Sequence, residues 1–154
     1  MSDNTVYAKR SDDDREAPRL RPMTDRDHPN AHKLKEAHES FQAGDMDKLF
    51  AIFADDMAWR VPGNNRLSGT FVGREEIMSN FASLAEVADS YWAHPLDYFG
   101  SDDHVVLVAE VRATRGDKVL NEKECLLFRV GPDGRFAECW HLGLAPEKWD
   151  WFFA

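Results

Sequence analysis

From residue 105 to residue 113 every odd-numbered position is apolar. These are Val105, Leu107, Ala109, Val111 and Ala113, and Glu110 and Arg112 fall between them. A period of two sustained over that length is a strand with one buried face. Such a strand needs a sheet around it and a second layer to cover the apolar side. The alternation turns Glu110 and Arg112 outward, where they read as a surface ion pair. A shorter copy of the pattern occupies 57–61, with Met57, Trp59 and Val61 inward and Ala58 and Arg60 outward, until Pro62 and Gly63 stop it.

The neighbouring segments supply more strands and the covering layer. Residues 91–99 read as a strand that Pro95 confines to an edge or a bulge. Residues 119–130 and 135–141 flank Gly131-Pro132-Asp133-Gly134, a run of turn formers that predicts a hairpin. Pro29 opens a first helix whose buried stripe is Leu34, Ala37, His38 and Phe41, at i, i+3, i+4 and i+7. Gly44 ends it, and Asp45 caps a short second helix expected to run through Phe53. A third spans about 74–88 on Ile77, Phe81, Leu84, Ala85 and Ala88. Trp149, Trp151, Phe152 and Phe153 close the chain, as cover for the mouth of a barrel or for a subunit interface. Three helices and an antiparallel sheet make an α+β domain.

Composition excludes several classes. A length of 154 residues gives one domain with room for a sizeable core. A formal net charge of -9 argues against nucleic-acid binding, which needs a basic footprint. No apolar run reaches membrane-span length, and the first residues are polar, so neither a membrane partner nor a signal peptide is expected. Cys125 and Cys139 make no disulfide framework, which suits a cytoplasmic setting. No metal-ligand spacing and no phosphate-binding glycine loop occurs, so no metal and no cofactor is expected. Residues 1–28, rich in Asp, Arg and Ser, read as a polar N-terminal extension, with the folded domain at 29–154.

A set of short pieces recurs in order along the domain: Ala43-Gly44-Asp45, Phe53-Ala54-Asp55-Asp56, Trp59-x-Val61-Pro62-Gly63, Leu67-Ser68-Gly69-Thr70 and Gly73-Arg74. Val105-Val106-Leu107-Val108, Phe128-Arg129-Val130 before Asp133-Gly134-Arg135, and a Phe-Phe ending complete it. Together they resemble the SnoaL-like proteins of the NTF2-like (ketosteroid-isomerase-like) superfamily. The resemblance implies a cone: three N-terminal helices packed in a curved antiparallel sheet around an apolar pocket, and a homodimer as the usual assembly. Met57, Trp59, Val61, Leu126, Phe128 and Cys139 are the expected sheet lining, with His38 and Phe41 on the first helix. The same residues could equally fill a solid core, and His38 could be a boundary histidine.

The resemblance does not carry an activity across. Where ketosteroid isomerases keep their base, helical tyrosine and second acid, this chain has Val61, Ala37 and Leu126. The Arg/Asp relay of the limonene epoxide hydrolases is also not reproduced, although their remaining aspartate aligns with His141. If Val130 faces Arg135 across the hairpin, Glu124 faces His141 on the apolar face. A carboxylate holding an imidazole is a usable acid/base unit; the other reading is an exposed pair at the rim of the sheet. Two functions follow. One is a cofactor-free enzyme of isomerase, polyketide-cyclase or epoxide-hydrolase type acting on a small hydrophobic molecule, with His141 and Glu124 catalytic. The other is a non-catalytic ligand-binding or dimerisation module.

Overall fold

Pro29 occupies the first position of α1 (Pro29–Gln42), where a missing N–H costs nothing, and His28 caps the helix by accepting the Asn30 N–H on Nδ1 at 3.1 Å. A computed structural model describes residues 28–154; the expected extension, up to residue 27, lies outside the described residues. Ala31, Leu34 and Ala37 form the buried stripe of α1, and Phe41 and His38 flank it half-buried. Gly44, at φ +94°, releases the chain in the left-handed conformation that glycine adopts without strain. Asp45 then caps α2 (Met46–Ala51), accepting from the Lys48 N–H.

The second helix is shorter than the sequence suggests. Ile52 ends it, and Phe53 opens β1 (Phe53–Val61) instead. Phe53 pairs with Phe136 far along the chain, and the Phe136 N–H donates to the Ile52 carbonyl at 2.8 Å. A long-range strand contact has overridden local helix propensity, as tertiary packing commonly does. β2 (Gly69–Val72) returns alongside β1, and α3 (Gly73–Val87) follows at once, with Ile77 and Asn80 its buried residues. The rest of the sheet is a meander: β3 (Ser90–Gly100), β4 (His104–Arg115), β5 (Lys118–Val130) and β6 (Phe136–Gly143). The closing segment, expected only as an aromatic cover, forms a fourth helix, α4 (Pro146–Phe152).

The six strands lie in the order β2-β1-β6-β5-β4-β3, a curved sheet that does not close, with helices packed on its inner face. Every pairing is antiparallel except β1 with β6, which run parallel. Between those two lies the whole of β2, α3 and the meander, so no tight turn dictates their relative direction. β4 behaves as its pattern demands. Val105, Leu107, Ala109, Val111 and Ala113 are sealed, and Glu110 and Arg112 meet at 3.5 Å on the outer face. Pro95 sits in the edge strand β3 beside a bulge that leaves Leu96 exposed. Among the described residues no helix is long and apolar enough to cross a membrane.

Candidate active site

Sheet curvature and the three leading helices enclose a cavity of about 790 Å³. That volume suits a drug-sized molecule. Its wall is mainly apolar: Trp59 and Val61 from β1, Leu126 and Phe128 from β5, and Phe41 from α1. His38 lines it too. Two expected lining residues do not reach it. Cys139 lies between Trp59 and Phe128 in the register, and those rings meet edge-on at 6.3 Å, so the smaller side chain is sealed beneath them. Met57 is likewise sealed in the core cluster with Phe53 and Trp59. Burial pushes the Cys139 thiol well above its ordinary value, with the charge of Glu124 adding to it.

The expected register across the β5–β6 hairpin is displaced by two residues, yet its consequence survives. Val130 pairs with Phe136 rather than Arg135, and a bulge between Arg129 and Val130 adds a second step. Leu126 therefore faces His141, and Glu124 faces Gly143. A one-residue slip would have sent His141 to the outer face, but two slips restore it to the inner one. A long side chain can bridge the diagonal between such positions. His141 Nε2 is hydrogen-bonded to Glu124 Oε2, and the same oxygen accepts the Tyr91 hydroxyl at 3.2 Å.

Glu124 is 4% exposed, so its carboxylate depends on these partners: a buried charge is tolerable only when paired and hydrogen-bonded. Burial holds the Tyr91 phenol well above its usual range, reinforced by the charge and hydrogen bond of Glu124, so Tyr91 stays a neutral donor. With Nε2 committed to the carboxylate, the nitrogen His141 can offer to a molecule in the cavity is Nδ1. A carboxylate on one imidazole nitrogen fixes the tautomer and the ring orientation, and this leaves the other nitrogen as a base.

Trp149 was not read from the sequence as a site residue. It lines the cavity and meets the His141 ring edge-on, with centroids 5.3 Å apart. Gly143 makes room for it: a Cβ there would stand 2.2 Å from Trp149 Nε1. A glycine two places beyond His141, on the face that should carry a side chain, was the available signal. Among the described residues Trp149 Nε1 is the buried polar side-chain atom left without a partner. Contacts at and just beyond its last turn hold α4 in place. Asp150 accepts from Asn64 N–H and Asn65 Nδ2, both at 2.8 Å, and Arg115 donates to the carbonyls of Phe152 and Ala154.

A second polar couple reaches the cavity through His38. His38 Nδ1 and the Tyr98 hydroxyl are 2.7 Å apart, joining α1 to β3. Burial lowers the His38 imidazole below its ordinary value, against the opposing pull of Glu124 and Glu39. Burial, with the charge of Glu39 behind it, pushes Tyr98 up to about 12. Tyr91 and Tyr98 carried no motif, and only the folded sheet shows that they serve the polar side chains of the wall. Among the described residues no group of three or more His, Cys, Asp or Glu is arranged to hold a metal ion.

Residues 34–139 match the family described as SnoaL-like domain. Protein Rv0034 of Mycobacterium tuberculosis (strain ATCC 25618 / H37Rv) is 28% identical over 123 residues, which is 79% of this chain and 93% of that protein. Among solved structures, Bal32a from a soil-derived mobile gene cassette is 28% identical with a TM-score of 0.73, over 81% of this chain and 96% of that one. TerC, crystallised with polyporic acid, shares 16% identity at a TM-score of 0.69, over 82% of this chain and all (100%) of that one, and so speaks for the fold alone. Curved sheet, enclosed helices and a family match across most of the domain agree, and the chain belongs to the SnoaL-like family of the NTF2-like superfamily.

Proposed function

We propose that the protein is a small-molecule enzyme that receives an apolar carbonyl or epoxide compound in its cavity and carries out acid/base chemistry on it without a cofactor. The reaction is of isomerase, cyclase or epoxide-hydrolase type, and the catalytic unit is His141 with Glu124. One observation carries the reading: a buried carboxylate that shares one oxygen between an imidazole and a phenol in the wall of an apolar cavity. His141 Nδ1 takes a proton from the bound molecule, Glu124 steadies the imidazolium that results, and the same ring returns the proton. The family includes cyclases and isomerases, and its fold generally binds small hydrophobic ligands. TerC, which shares the fold, was crystallised with a small organic molecule, polyporic acid, and a ligand of that size class is what we propose for this cavity.

The simplest reaction open to such a unit is exchange of an activated C–H proton. With 2-tetralone in D2O, followed by proton NMR, the wild type should accelerate α-proton exchange about a hundredfold or more over His141→Ala. Glu124→Gln should fall between the two. Binding of 2-tetralone with exchange no faster than in His141→Ala would leave the non-catalytic binding module as the function.

The unit that carries this activity is residues 29–154, in the cytoplasm, acting as a homodimer. What supports the dimer is the outer face of β4, β5 and β6. There Val106, Val108, Leu127, Cys125, Trp140 and Leu142 are neighbours in the register and only half-buried. An apolar strip of that kind on an otherwise charged chain suits a second copy of itself.

A further inference from the structure

His38 and Tyr98 are not used by the chemistry above, although His38 lines the same cavity. Their 2.7 Å bond can run in either direction, and the chemistry of the two groups decides which. A phenol is the stronger hydrogen-bond donor, and an imidazole nitrogen is a far better acceptor than a phenol oxygen. The Tyr98 phenol stays protonated, since burial and Glu39 raise it to about 12, and burial keeps the imidazole neutral. Tyr98 therefore donates into Nδ1, and the single proton of the neutral ring sits on Nε2. Among the described residues Nε2 has no partner, and it is not sealed from solvent as the indole nitrogen of Trp149 is.

We propose that the Nε2–H of His38 binds the carbonyl oxygen of the molecule in the cavity, and that Tyr98 is the positioning residue that holds His38 in that tautomer. The inference rests on the reading of the cavity as a receptor for a small apolar molecule, and it narrows the ligand to an uncharged carbonyl compound. A donor that is neutral and lacks a lone pair on the same atom suits an oxygen that only accepts. A ligand hydroxyl could accept the same bond, but it brings a proton of its own that needs a second acceptor, a demand a carbonyl oxygen does not make. A carboxylate would bring a second negative charge into a cavity that already holds Glu124, with a neutral ring as its only new contact. The two histidines then divide the work: Nδ1 of His141 accepts a proton, and Nε2 of His38 donates a hydrogen bond to the oxygen where charge develops.

Nitrogen-15 spectra of the histidine rings, which need no ligand, should show the proton of His38 on Nε2 in the wild type and a mixed tautomer in Tyr98→Phe. Calorimetry with three probes of one shape, 2-tetralone, tetralin and tetralin-2-carboxylate, then tests the specificity. The ketone should bind about 5- to 10-fold tighter than the hydrocarbon, the size of one net hydrogen bond, and the carboxylate weakest of all. His38→Leu should erase the ketone preference while leaving tetralin affinity in place, and Tyr98→Phe should reduce it. A wild-type His38 with its proton on Nδ1, or a ketone preference that survives His38→Leu, overturns the inference alone. Failure of the wild type to bind any of the three overturns the cavity reading beneath it as well.

Discussion

Glu124 and Glu138 stand on adjacent strands and on opposite faces of one sheet, and their surroundings make them different reagents. Glu138 is half-exposed and takes Arg129 through two nitrogens, at 2.8 and 3.2 Å, with Arg60 at 3.3 Å. Guanidinium groups do not release protons near neutrality, so the triplet is a fixed electrostatic clasp. Its hydrogen bonds to Arg129, ahead of those to Arg60, hold the Glu138 carboxyl below its ordinary range. Glu124 faces the cavity with a phenol that stays neutral and an imidazole that can give up a proton or take one back. A carboxylate becomes a candidate for chemistry through the proton mobility of a partner, and burial alone does not confer it.

The contrast between the two faces can be broken at three points, in order of size. Phe128, sealed on the inner face of β5, should cost about 3–5 kcal/mol when changed to alanine, by urea unfolding. Its neighbour Leu127 on the outer face should cost clearly less, and equal losses would mean that both faces are cores. The second point is Trp140, the aromatic of the outer strip. The wild type should sediment as a dimer at micromolar concentration, and Trp140→Ala should weaken the dimer by about 2 kcal/mol, roughly thirtyfold. A wild-type monomer would remove the second copy from that face.

The smallest effect belongs to Glu138→Gln. The folded carboxyl lies below its ordinary value of 4.5, so the unfolded chain takes up the proton first as the solution is acidified. The clasp's contribution is therefore complete above that value and is lost as pH falls through the folded one. The wild type should exceed the variant by less than about 1 kcal/mol at neutral pH. Thermal melts should show the gap closing under acid, and a gap that widened there would reverse the sign of the argument.

Much of this was legible in the chain. Alternation in β4 placed the core face, Pro95 marked an edge strand, and Gly44 and Asp45 divided the first two helices. The Glu124–His141 contact was legible only in parity. Face is a property of odd and even positions, whereas register depends on a turn and a bulge whose energies differ little between alternatives. Long-range choices were not legible at all. Phe53 has the local look of a helical residue and becomes a strand because Phe136 lies beside it. Trp149 reads as one more aromatic until Gly143 is seen to leave the space it fills.

The parallel pairing of β1 with β6 also bears on how the molecule assembles. β3 to β6 can zip together in sequence as hairpins, but β1 and β2 must wait at the other side of a long open loop until β6 exists to receive them. Closing that loop is an entropic cost met before any contact repays it, so the step belongs late and slow in folding. On the ribosome the early helices and the β1–β2 ribbon emerge long before their neighbour does, with apolar surface unsatisfied. The cavity wall is completed only at that junction, where Trp59 of β1 comes beside Cys139 of β6. A molecule that fills the cavity thus selects for chains that have finished folding, and it slows the parting of the one seam that the chain joins last.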